Sequence, residues 1–87
     1  MKVLAKSVDM IAWFKDSGKI SPIKFRIEED DGTLKIIKIN KIIKVANEKI
    51  AGNPMQIYTC SSNINGVEKV FELKYEIERC KWYLFKI

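Results

Sequence analysis

The chain has 87 residues, 47% of them apolar and none of them histidine, with sixteen basic residues against eleven acidic for a net charge of +5. That length holds one domain, residues 1–87, with a single modest core. The composition excludes a disordered chain or a disulfide scaffold, and no apolar run reaches the ~20 residues that a membrane-spanning helix needs.

The excess charge is uneven: residues 1–54 carry eleven Lys/Arg against seven Asp/Glu, and residues 55–87 carry five against four. A basic first half can attract nucleic acid, an anionic surface or an acidic protein, although an excess this small also serves plain solubility. The opening MKVLAKSVDMIAWFK lacks the uninterrupted apolar segment and small-residue cleavage site of a secretory leader, so a cytoplasmic location is expected.

Val8 to Lys15 reads as a strand, with Met10, Ala12 and Phe14 on one face and Ile11 and Trp13 on the other. A helix template competes through Leu4, Val8, Ile11 and Ala12. The sequel favours the strand. A turn at Ser17-Gly18 sets Asp16 opposite Lys19, Ala12 opposite Ile23 and Met10 opposite Phe25. Ile23 to Glu28 follows as a strand with Ile23, Phe25 and Ile27 inward and Lys24 and Arg26 outward. Pro22 is expected near its start or edge.

Glu29-Asp30-Asp31-Gly32 closes that strand and lacks the spaced oxygen ligands of a calcium loop. Two- and four-residue loops both place Leu34 and Ile36 inside; a three-residue loop does not, and is not expected. Thr33 to Val45 is a long isoleucine-rich strand in which alternation fails at Ile36-Ile37 and again at Ile42-Ile43. Such doublets fit a bend or bulge that lets one strand serve two parts of a curled sheet, or a strand covered on both faces. Ala46 to Met55 reads as a connection holding one helical turn over Asn47–Ala51, stopped by Gly52 and Pro54.

Gln56 to Ile77 carries the strongest short signal, because Asn65-Gly66 suits the two positive φ angles of a type I′ turn. Folding about it sets Ser62 opposite Lys69, Cys60 opposite Phe71 and Tyr58 opposite Leu73. Phe71, Leu73, Tyr75 and Ile77 then share the core face, and Glu72, Lys74 and Glu76 share the other. Cys60 is expected as a buried thiol, and a bridge to Cys80 is not expected in a reducing compartment. After a turn near Glu78-Arg79 the chain ends in CKWYLFKI. An even loop puts Trp82 and Leu84 in the core; an odd one puts Tyr83, Phe85 and Ile87 there.

Together these make an all-β domain of five to six antiparallel strands: a small curled sheet or barrel, SH3-like or OB-like, or a compact two-layer sheet. No cofactor or metal is expected. Without histidine the commonest general base and metal ligand is missing, and the two separated cysteines make no zinc set. The serines have no imidazole partner, no Gly-rich phosphate loop is present, and carboxylate pairs such as Glu76/Glu78 read as solvated. The expectation is a chain that is not an enzyme.

One constellation remains. In the registers above, Ile11, Trp13, Lys24, Arg26, Lys35, Ile37 and Ile39 fall on the outer side of three adjacent strands, with Lys38, Lys41 and Lys44 nearby. Cations beside an exposed ring are how small β-barrels hold single-stranded nucleic acid. The same apolar residues also suit a protein partner or a homodimer, or cover by the C-terminal strand.

The strings PIKFRIEEDDG, IAGNPM and FELKYEIERCKWYLFKI resemble a group of short bacterial all-β proteins of similar length. The likeness runs from about Trp13 to the end. It implies a shared fold and carries no activity and no site residues.

Overall fold

Seven β-strands and no helix make up the computed structural model, which describes residues 1–87. They are β1 (Val3–Phe14), β2 (Ile20–Glu28), β3 (Leu34–Lys38), β4 (Lys41–Ile50), β5 (Asn53–Ile64), β6 (Val67–Glu76) and β7 (Lys81–Lys86). All neighbours are antiparallel, in the order β3-β2-β1-β7-β6-β5-β4. The chain starts in mid-sheet, steps outward to β3, crosses to the far edge at β4 and returns strand by strand.

That crossing sets the curvature. Strands β3 and β4 are the two edges of the sheet, yet only Ile39 and Asn40 separate them. Two linking residues span at most ~11 Å, whereas the edges of a flat seven-stranded sheet lie roughly 29 Å apart at normal strand spacing. The sheet must therefore curl, and it forms a half-barrel. Ile39 and Asn40 are the seam: the Ile39 N–H donates to the Ile23 carbonyl (2.9 Å) and the Asn40 N–H to the Ser61 carbonyl (3.0 Å). The Asn63 N–H returns a bond to Asn40 Oδ1 at 2.7 Å. The bend lies beyond the first isoleucine doublet, which itself alternates regularly in β3, Ile36 outward and Ile37 inward. At the second, Ile43 is the extra residue of a bulge, since Ile42 pairs with Cys60 and Lys44 with Thr59.

The core is a single cluster of Phe25, Ile37, Tyr58, Cys60, Phe71, Leu73, Tyr75, Trp82 and Leu84. Phe25 of β2 meets Phe71 of β6 edge to face at 5.6 Å, so the curl lays one half of the sheet on the other. Tyr75 and Trp82 pack at 4.6 Å, with Tyr58 against Trp82 at 5.3 Å. The central hairpin has the expected register at all three pairs, with φ of 53° at Asn65 and 81° at Gly66. The final turn takes four residues, Ile77 to Cys80, which puts Trp82 and Leu84 inside. Cys60 and Cys80 are free thiols.

Five expectations need correction. There are seven strands rather than five to six, because the single strand expected over Thr33 to Val45 breaks at Ile39-Asn40 into β3 and β4. Ala46 to Met55, expected as a connection with a helical turn, instead extends β4 and β5 on both sides of a second type I′ turn at Ala51-Gly52. Gly52 has a φ of 83°, a conformation that ends helices and turns hairpins alike. The Asp30-Asp31-Gly32 loop has the rejected three residues: Glu29 pairs with Thr33 and Gly32 takes the left-handed position, as in a turn followed by a bulge. That loop reverses the parity of β3, so Ile37 and not Ile36 enters the core. Asp16-Ser17-Gly18 makes a similar loop, and a bulge at Ile23 then restores the Met10–Phe25 pair while setting Ala12 against Pro22. Ile23 is consequently part-exposed, as is Ile77 beyond the end of β6.

Finally, Lys74 and Glu76 are buried on the outer face rather than solvated. Lys74 Nζ lies 3.5 Å from Glu48 and 3.7 Å from the centre of the Phe85 ring. Glu76 accepts from Asn53 Nδ2 at 2.6 Å and from the Tyr83 hydroxyl at 3.2 Å. The Asn53 bond above all, then Tyr83 and the charges of Arg79 and Lys81, outweigh desolvation and hold the Glu76 carboxyl below its ordinary range.

Candidate interaction face

Three strands, β1, β2 and β3, present a face with large apolar side chains and cations together. Alternation along β1 turns Asp9, Ile11 and Trp13 outward; β2 turns out Lys24, Arg26 and Glu28; β3 turns out Leu34, Ile36 and Lys38. Trp13 is 61% exposed and Ile36 64%, and Ile11 and Leu34 are also more than half exposed. Four such residues on one face exceed the scattered apolar exposure of an ordinary surface.

Of the residues expected here, Ile11, Trp13, Lys24 and Arg26 lie together on this face. Ile37 does not: it is a core residue packed under the sheet, and Ile39 packs against the same core. Lys35 stands opposite Ile27 on the inner side. Their places are taken by Leu34, Ile36 and Lys38, which the two- or four-residue loop had hidden. The signal was there in Asp30-Asp31-Gly32, a glycine in third place, which favours a three-residue hairpin loop.

The charges on the face fall into rows. Arg26 is neutralised by Asp9, with Nη2 2.8 Å from Oδ2 and Nε 3.2 Å from the same oxygen. Lys24 and Lys38 are direct cross-strand partners and neither enters a salt bridge. Like charges in that position repel. Ile11 stands on the other side of Lys24, and Lys15 Nζ lies 5.4 Å from the centre of the Trp13 ring. A shallow groove of about 320 Å³ runs among Ile11, Lys24, Arg26 and Ile36.

The face offers contact chemistry: apolar area, an open aromatic ring and two unpaired ammonium groups. No group of His, Cys, Asp or Glu side chains is arranged to hold a metal ion. Two further buried titratable groups, Tyr58 and Cys60, lie elsewhere, in the core. Burial, then the neighbouring Cys60 and Tyr75, pushes the Tyr58 hydroxyl up to about 12, and burial raises the Cys60 thiol to about 12. The Tyr58 hydroxyl is 2.8 Å from Gln56 Oε1 on its own strand and 3.1 Å from the Ile20 carbonyl, the contact that ties β5 to β2.

No protein-family model matches the chain, and no curated protein or solved structure does so significantly.

Proposed function

We propose that the chain is a non-enzymatic interaction module, working as small SH3-like or OB-like barrels do, and that its β1–β2–β3 face docks a second copy of itself. The observation that carries this reading is the exposure of Ile11, Trp13, Leu34 and Ile36 on one face while the last strand is committed to the core through Trp82 and Leu84. Nothing else in the chain is left to cover that face. Each large apolar side chain taken from water contributes roughly 1.5–3 kcal/mol when fully buried. A two-fold pairing uses the patch twice. The face also carries both signs of charge, so Glu28 of one copy can meet Lys24 or Lys38 of the other.

Sedimentation velocity across a micromolar concentration series tests the proposal. The expected result is a concentration-dependent dimer that Trp13→Ala and Ile36→Lys abolish while leaving the melting temperature of the dilute monomer unchanged. A monomer at every concentration refutes it.

A second reading is favoured by the opposed Lys24 and Lys38 beside the open Trp13 ring: single-stranded nucleic acid, with phosphates between the lysines and a base on the indole. Retention of a fluorescent oligonucleotide at low salt, falling as salt rises, is its expected signature. Absence of binding at low salt excludes it.

A further inference from the structure

The end of the half-barrel bounded by the β2–β3 and β5–β6 turns opens into a cavity of about 790 Å³. Its walls are aliphatic where they meet the core, with Ile27, Ile37, Ile64 and Leu84 among the lining residues. Three lysines also line it: Lys6, Lys35 and Lys69. Lys6 pairs with Leu84, Lys35 with Ile27 and Lys69 with Ser62, and these partners face the interior. All three lysines therefore occupy inward-parity positions on their strands, where an apolar residue would have been cheaper to bury; Lys6 and Lys35 are part-buried and Lys69 stays exposed at the rim.

None of the three enters a salt bridge; Lys6 donates instead to the backbone carbonyl of Glu28. Across from Lys69, Ser62 is fully buried and its Oγ has no hydrogen-bond partner. An apolar wall lined by lysines from three strands is an arrangement for an anion that carries a hydrocarbon body. The β2–β3 turn sets Glu28, Glu29, Asp30 and Asp31 around the same opening. Glu28 reaches the opening through its backbone carbonyl while its side chain turns outward, so three carboxylates stand beside three lysines, a balance that admits a monoanion more readily than a dianion or a polyanion. Asp31 is tied to its own turn, accepting the Thr33 N–H at 2.9 Å.

We propose that this mouth binds a small aliphatic carboxylate. Its chain lies along the part-exposed Ile27, Ile64 and Ile87, above the buried Ile37 and Leu84, and its head group is met by Lys6, Lys35 and Lys69. The site is separate from the outer face of β1–β2–β3 and stands or falls independently of it.

Decanoate is the probe, titrated into isotopically labelled protein while methyl and amide NMR signals are followed. Saturable shifts are expected at Ile27, Ile37, Ile64 and Leu84, with the Trp13 indole signal unmoved. Uncharged decanol should bind about tenfold or more weakly, the scale of one lost charge-assisted hydrogen bond. Lys35→Gln combined with Lys69→Gln should weaken decanoate by a similar factor and leave decanol unchanged. No saturable shift, shifts centred on Trp13 and Ile36, or equal binding of decanoate and decanol each overturns the proposal. If the double variant does not fold, the decanol comparison on the unaltered protein decides alone.

Discussion

Gly66 is the position at which backbone strain can be separated from packing. Its φ is +81°, and a methyl group built on it meets nothing within 4 Å. A side chain there costs conformational energy and almost no steric repulsion from neighbours. An L-residue in the left-handed region pays roughly 1–2 kcal/mol, and a β-branched residue is a sharper outlier there. Gly66→Ala should therefore destabilise by about 1–2 kcal/mol, and Gly66→Val by about 2–3 kcal/mol, towards the top of the range for strained backbone. In a domain of this size each kcal/mol lowers the melting temperature by roughly 4–8 °C. Lys24→Ala is the proper control, because Lys24 is exposed and unpaired whereas Lys74 is buried against Phe85. Thermal unfolding by circular dichroism reads all three variants side by side. Equal melting temperatures for Gly66→Val and Lys24→Ala would mean that the type I′ turn does not hold the hairpin, and the registers built on it would fail with it.

Alkylation should distinguish the two thiols: in the native protein at pH 8 iodoacetamide should label the exposed Cys80 and spare Cys60, whose thiol is buried and raised to about 12. Mass spectrometry after a timed quench counts the adducts, and rapid double labelling contradicts the buried position of Cys60. Glu76 should make stability acid-sensitive. Its folded pKa is depressed, so its contribution is complete above the ordinary carboxylate value and disappears as pH falls through the folded one. Glu76→Gln should lower the urea midpoint at pH 7, with the gap to the unaltered protein closing at acid pH; a gap that is constant with pH refutes the assignment.

The hairpin from Gln56 to Ile77 was legible because two signals agreed there. Asn65-Gly66 permits one common turn, and the alternation of Phe71, Leu73 and Tyr75 allows one register. Of the two isoleucine doublets taken as marks of a bend or bulge, Ile42-Ile43 holds a bulge, whereas Ile36-Ile37 alternates regularly and the chain bends beyond it at Ile39-Asn40. What misled was glycine. A left-handed glycine ends a helix, closes a type I′ turn, or completes a three-residue loop, and Gly52, Gly18 and Gly32 look alike in sequence. Reading Gly52 as a helix stop hid the second half of β4. Reading Asp31-Gly32 as an even loop turned β3 over, which exchanged Ile36 for Ile37 on the candidate face. One face was thus half recognised: its β1 and β2 residues were correct, and its β3 residues were displaced by a single position. Of the inward lysines of the mouth, Lys35 was beyond reach for the same reason, since it changes side with Ile37, whereas Lys69 already stood opposite Ser62 in the hairpin register.

The pairing of β1 with β7 bears on how the molecule assembles. The Lys2 N–H donates to the Ile87 carbonyl at 2.7 Å and the Ile87 N–H returns a bond to Lys2 at 3.0 Å. Every other strand pair is a hairpin between consecutive strands, so β1–β3 and β4–β7 are each meanders that can form locally. Joining them along β1 and β7 closes a loop of about eighty residues, which costs roughly 3 kcal/mol more entropy than a two-residue hairpin. Local pairs should come first and the long-range seam last, with the rate of folding set by that search. Until the seam forms, β1 and β7 are bare edges flanking Trp82 and Leu84. A slow step with those two side chains still wet is where this chain would be most open to pairing with the wrong strand.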